Sequence, residues 1–139
     1  MRLSGKIFMD GTFWLAEIPM LDVMTQGHTK KEAYEMVVDL LKSLHGNHEL
    51  HIELYKKIGG EFEIGFSSLK ELIPLLLRRK REMSGLSLSQ VAQRLGSSSR
   101  NAYARYEQGQ SVPSVEKLNE LLHALSPDTD IVLSESKVA

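Results

Sequence analysis

Two periodicities divide the chain. Up to about residue 66, apolar positions mostly alternate with polar ones, as in half-buried strands, around a single helical stretch. Beyond it they recur every three or four residues, as on amphipathic helices. Lys6–Met9 and Thr12–Ile18 flank Asp10-Gly11, a pair suited to a two-residue type I′ turn with positive φ at both positions. That turn sets Phe8 opposite Phe13 and Ile7 opposite Trp14. Trp14, Ala16 and Ile18 then share one face, and Phe8, Phe13 and Leu15 the other. Pro19 stops the ladder because it has no N–H. Asp22–Gln26 follows as a short third strand.

A helix is expected at Lys30–His45. Thr29-x-x-Glu32 is a capping box, and Ala33, Val37, Leu40, Leu41 and Leu44 form one stripe. Gly46 can close the end in the left-handed conformation. Two more strands carry Ile52 and Leu54, then Phe62, Ile64 and Phe66. A two-residue loop between them would bury Tyr55 in place of Leu54. A three-residue loop, Ile58–Gly60, pairs Ile52 with Phe66 and Leu54 with Ile64 and keeps the apolar set on one face, so it is preferred. Residues 1–66 therefore read β-β-β-α-β-β.

Residues 67–70 read as a short linker, residues 71–126 as an all-helical unit and residues 127–139 as a tail. Pro74 is tolerated early in a helix and disruptive inside one, so a turn at Leu69–Ile73 and a helix over Pro74–Met83 are expected. Arg78–Arg81 form a basic cluster at its end, suited to phosphate contact or to a solvated helix end. Ser87-x-x-Gln90 opens a helix at Leu88–Leu95 that Gly96 ends. Another helix spans Arg100–Tyr106, and Ser114 caps a last one over Val115–Leu125. Asp130-Ile131-Val132-Leu133 suggests a tail strand that pairs with a second copy of the chain. The fold class is α+β: a small antiparallel sheet with one helix, then a helical domain.

The net charge of −1 argues against a non-specific nucleic-acid binder, but its distribution is uneven. Residues 1–66 hold 7 Lys and Arg against 10 Asp and Glu, and residues 67–126 hold 9 against 5. This suits DNA at one end and a different partner at the other. The chain has no cysteine, which excludes disulfides and thiolate metal sites. With no membrane span and no signal peptide in view, a cytoplasmic location is the default. Asp10, Glu17, Asp22 and Asp39 are scattered over different elements, with nothing in their spacing to gather them on metal ions. His45, His48 and His51 straddle a helix end and read as solvated loop residues. No catalytic residue, cofactor or metal site is expected.

The run Gly11-Thr12-Phe13-Trp14, then Glu17-Ile18-Pro19, Gln26-Gly27-x-Thr29 and Glu32-Ala33, resembles the HicB antitoxin domain over about residues 3–66. The resemblance implies a partial RNase H-like fold without nuclease activity. It also implies that the domain binds and masks a HicA-like toxin, a small ribonuclease. Phe8, Phe13 and Leu15 are the candidate toxin-binding residues.

Residues 74–125 resemble the lambda-repressor-like (XRE) helix-turn-helix family. The matching signature is Leu86-Ser87, Ala92-x-x-Leu95-Gly96, Tyr106-Glu107-x-Gly109 and Pro113-Ser114. Two departures stand out: one extra residue lies between Gly96 and Glu107, and Leu88 replaces a glutamine usual in the family. Counted back from Glu107, the groove-facing candidates are Ser98, Ser99, Arg100, Asn101 and Ala104. Arg100 can pair with guanine and Asn101 with adenine. Ser87, Gln90, Arg94 and Arg105 are candidate phosphate contacts. Tyr103 and Tyr106 are expected to pack inward.

The combined expectation is an antitoxin that blocks a HicA-like toxin protein and represses its own operon. It would bind double-stranded operator DNA as a homodimer or higher oligomer. The alternatives are a free-standing regulator whose first domain encloses a small-molecule pocket, and an RNase H-like nuclease.

Overall fold

The computed structural model describes residues 1–97 and 100–137. Five antiparallel strands form one sheet: β1 (Arg2–Asp10), β2 (Phe13–Ile18), β3 (Val23–Gly27), β4 (Ile52–Lys56) and β5 (Glu61–Phe66), in the order β3-β2-β1-β5-β4. The helix α1 (Lys30–His45) joins β3 to β4. The second part is helical: α2 (Leu69–Ser84), α3 (Leu88–Arg94), α4 (Arg100–Glu107) and α5 (Val115–Leu125). The fold is α+β, as the periodicities implied.

The first hairpin differs in its turn. Asp10 belongs to β1 and pairs with Phe13, Phe8 faces Leu15, and Ile7 faces Ala16. The two loop residues are therefore Gly11 and Thr12. Among the described residues only Asp22 combines a side chain with positive φ, so Asp10 is not in the left-handed region that a type I′ turn over Asp10-Gly11 requires. Gly11 alone supplies positive φ at the first loop position, as in a type II′ turn. The ladder shifts by two residues in its pairing sum, which preserves the faces. Trp14, Ala16 and Ile18 lie on one side, and Phe8, Phe13 and Leu15 on the other. A 3-10 turn at Pro19–Leu21 precedes β3, which begins one residue later than expected because Asp22 is left-handed (φ 50°).

The β4–β5 loop keeps the predicted register: Ile52 faces Phe66, Leu54 faces Ile64, and the Lys57 N–H donates to the Glu61 carbonyl at 2.9 Å across Ile58–Gly60. The Thr29 side chain caps α1 by accepting from the Glu32 N–H at 3.1 Å, and the Glu32 carboxylate reaches back to the His28 N–H at 3.2 Å.

The structure merges the expected turn and helix into a single α2. Its N-terminus is a full capping box made by Ser68 and Glu71, so the helix begins at Leu69, inside the stretch read as a linker, and runs through Pro74. Pro74 cannot donate to the Lys70 carbonyl. Burial offsets that loss, because Leu72, Ile73, Leu75, Leu76 and Leu77 are all nearly inaccessible. Their contacts join the Leu3, Ile7, Phe62 and Ile64 face of the sheet to Val91, Tyr103, Leu121 and Leu125 in one continuous core. α2 is thus shared by both parts of the chain.

Among the described residues the opposite sheet face carries no helix. Phe8 and Met24 are 38 % and 53 % exposed there. The tail forms no strand over residues 131–133, and Val132 and Leu133 are exposed. Farther on, Ser136 reaches the bare sheet face. Its hydroxyl accepts from Lys57 Nζ at 2.7 Å and donates to Glu63 Oε2 at 2.7 Å. Arg2 reaches the same carboxylate at 3.0 Å.

Candidate nucleic-acid interface

The residues from Ser87 to Glu107 build two short helices around a turn. Ser87 Oγ accepts from the Gln90 N–H at 3.1 Å, and Gln90 Oε1 accepts from the Ser87 N–H at 2.8 Å, so the box that starts α3 is complete. The Gln90 amide oxygen is occupied in capping, which leaves its NH2 group to reach a phosphate. Gly96 takes φ 72°, and the Ser97 N–H returns to the Ala92 carbonyl at 2.9 Å, which stops α3 and turns the chain towards α4. Val91 and Ala92 pack inward, and Leu88 is half-buried.

One face of α4 is held by its core contacts. Tyr103 is 1 % exposed, and its hydroxyl donates to the Leu77 carbonyl at 3.4 Å. Burial, then the nearby Glu107 charge, push the phenol far above its ordinary value. Arg81 grips Glu107 with Nε at 2.8 Å and NH2 at 2.6 Å, while its NH1 donates to the Leu86 carbonyl at 3.0 Å. Glu107 in turn raises Arg81 above its usual value, against the opposing effect of burial. Tyr106 is half-buried against the core.

The outward face of α4 carries Arg100, Asn101, Ala102 and Arg105, all exposed. Of the groove candidates, Arg100 and Asn101 lie on this face. Ala104 does not: it is 7 % exposed and turned towards α2 and α3. Residues three apart share a helix face, so Ala104 turns inward together with Glu107, which is directed to Arg81. The exposed Ala102 was not among the candidates. Ser98 and Ser99 lie outside the described residues.

Among the phosphate candidates, Ser87, Gln90 and Arg105 are exposed. Arg94 is exposed too, but its guanidinium donates to the Ala124 carbonyl at 2.9 Å, at the C-terminal end of α5. The basic cluster is mostly internal bonding rather than a phosphate surface or a solvated end. Arg78 donates to the Leu44 carbonyl. Arg79 donates to the Leu21 and Asp22 carbonyls, each at 3.0 Å, and Arg81 holds Glu107. These arginines satisfy carbonyls at the end of α1 and around the 3-10 turn, where the chain leaves no backbone donor.

Residues 77–126 match a helix-turn-helix family model. The matched segment takes in most of α2 and all of α3, α4 and α5, and is similar to helix-turn-helix domains. The match supports a DNA-binding transcriptional regulator that takes double-stranded DNA. No curated protein matches the chain.

In the first part of the chain the carboxylates stay apart. Glu17 lies on the bare sheet face, opposite Lys6, whereas Asp39 is exposed on α1, which covers the other face. Among the described residues no group of three or more His, Asp or Glu is placed to hold a metal ion. His45 is not a solvated loop residue: it ends α1, half-buried, with its Nδ1 buried and without a hydrogen-bond partner. No helix among the described residues is long and apolar enough to cross a membrane.

Proposed function

We propose that the chain is an antitoxin that represses its own operon, binding operator DNA through α3 and α4 and a HicA-like toxin through the bare face of its sheet. The observation that carries the second half is the asymmetry of the sheet. One face is sealed by α1 and α2. The other leaves Phe8, Phe13, Leu15 and Met24 at least partly exposed beside Glu17 and Glu61. An apolar strip rimmed by carboxylates suits a basic protein, and a toxin ribonuclease must be basic to hold RNA. Inhibition in this reading is occlusion, with no chemistry performed by the chain. An assembly of two or more copies on a palindromic operator, in the cytoplasm, completes it.

The test seeks a small basic protein encoded beside this gene and co-expresses the two; absence of any such neighbour would count against the toxin half of the reading. Rescue of growth and co-purification are expected from the parent chain. Phe8→Asp with Leu15→Asp should abolish both while the purified variant still binds operator DNA. A toxic neighbour whose effect and binding ignore the double variant would overturn the assignment of this face.

A further inference from the structure

The tail meets the bare face of the sheet at a single residue. The Ser136 hydroxyl accepts from Lys57 Nζ and donates to Glu63 Oε2, each at 2.7 Å, and takes a longer contact from Arg2 NH1 at 3.4 Å. From residue 127 to residue 137 it is the one position that is not exposed. Among the described residues no backbone hydrogen bond joins this segment to a strand. We propose that the tail is a displaceable strap that competes with a partner protein for the bare face.

The dimensions of the sheet bring the two into conflict. Five strands at about 4.8 Å spacing span about 20 Å, and the nine residues of β1 extend about 30 Å. That is a face of about 600 Å², whereas a standard protein interface takes about 800 Å² from each partner. Phe8, in the apolar strip, and Arg2, beside Ser136, lie on the same face of β1 about 20 Å apart. A protein of ordinary footprint seated on the strip therefore reaches the tail.

The strap is built to leave. A tail paired as a further strand would be held by a ladder of backbone bonds, but this one is tethered by one hydroxyl. Its departure strands no charge, because Glu63 is already paired with Arg2 at 3.0 Å and with Lys57 at 2.8 Å. The hydroxyl is neutral and joins a group of charges that is satisfied without it. Contact is thus favourable while the face is free and is given up at little cost when a partner arrives.

The strap starts where α5 ends, and Leu121, Leu122 and Leu125 fix α5 in the core of the helical part. Occupation of the sheet therefore frees a segment attached to the helix-turn-helix part. This role rests on the reading of the bare face as a protein-binding site, and two separate measurements tell them apart.

The first needs no partner. The chain has no cysteine, so a single nitroxide can be placed at Glu135→Cys in the full chain. It should broaden the amide signals of Ser4, Tyr55 and Glu63 in nuclear magnetic resonance spectra, and adding Ser136→Ala should relieve the broadening. The second is titration with the small basic protein encoded beside this gene. Ser136→Ala should bind it about three- to tenfold more tightly than the parent, the span of one charge-assisted hydrogen bond. Ser136→Cys with Lys57→Cys, bridged by a short bismaleimide, should bind at least about tenfold more weakly than the same variant with both thiols alkylated separately. Absence of broadening in the free chain would overturn the strap. Equal affinity of the parent, Ser136→Ala and the bridged variant would overturn it too, while leaving the partner site standing. A parent chain that shows the broadening and binds no such protein would remove the partner reading, and the competition with it.

Discussion

Arg81 and Glu107 lie 26 residues apart and close the helix-turn-helix from the inside: the guanidinium of the last turn of α2 lies along the carboxylate that ends α4, with Nε at 2.8 Å and NH2 at 2.6 Å. The two side chains are 20 % and 8 % exposed. Removing one partner strands the other in a poorly solvated site, whereas removing both need not. Glu107→Gln is therefore expected to cost about 2–3 kcal/mol, somewhat under the figure for a fully buried pair. Arg81→Met with Glu107→Leu should cost less than Glu107→Gln alone. Urea denaturation followed by circular dichroism at 222 nm measures both, and a double variant that loses as much as Glu107→Gln or more would contradict the pairing.

The Glu63 carboxylate makes acid stability testable. Burial pushes its pKa up, but hydrogen bonds from Lys57, Ser136 and Arg2, with the Lys57 charge, outweigh that and bring it from 4.5 to about 2. A lowered carboxylate pKa contributes stability that is complete above the unfolded value and lost as protons bind. The loss should run from pH 4.5 down through about 2. Glu63→Gln should flatten the stability profile in that window and lower stability at neutral pH. A parallel profile for parent and variant would show that the cluster contributes nothing.

Gly5 is a point of close approach rather than a flexible joint. A Cβ added there would overlap the Phe62 ring, which is 1 % exposed and meets Tyr34 edge to face at 5.6 Å between centroids. Gly5→Ala should destabilise by about 3 kcal/mol, the upper range for overpacking. Gly5→Ala with Phe62→Leu should recover part of the loss, because the smaller side chain vacates the space. Thermal melts of the three variants decide it.

On DNA, the exposed Arg100 and the bonded Arg94 should separate. Arg100→Ala is expected to relax base preference at one position of the operator by about 1–3 kcal/mol. Arg94→Ala should leave operator affinity nearly unchanged and lower thermal stability instead, since its guanidinium serves the Ala124 carbonyl. Binding titrations over single-base operator variants test the first, and melting the second. A uniform loss on every sequence for Arg100→Ala would place it on phosphate rather than on a base.

What could be read from the sequence followed from local rules. The bounds of α1 and α5 were predicted without error because Thr29, Gly46 and Ser114 act on the backbone within three or four residues. The β4–β5 register was legible because a one-residue slip would have turned Ile52, Leu54 and Ile64 outward. Ser68-x-x-Glu71 was equally present in the sequence and gives the true start of α2, but Pro74 concealed it. A single proline weighs heavily in a local account, and the burial that offsets it is not local.

The tertiary structure decided the rest. It turned Ala104 inward and gave Arg78 and Arg79 to the carbonyls of Leu44, Leu21 and Asp22. It also left His45 half-buried where four helices meet, its Nδ1 without a hydrogen-bond partner. Each depends on partners 30 or more residues away or on the face of a helix that another helix happens to cover. Charge and spacing along the chain determine which residues can meet DNA or a ligand. Which of them are free to do so is settled by where the backbone needs donors, and that appears only once the elements have packed.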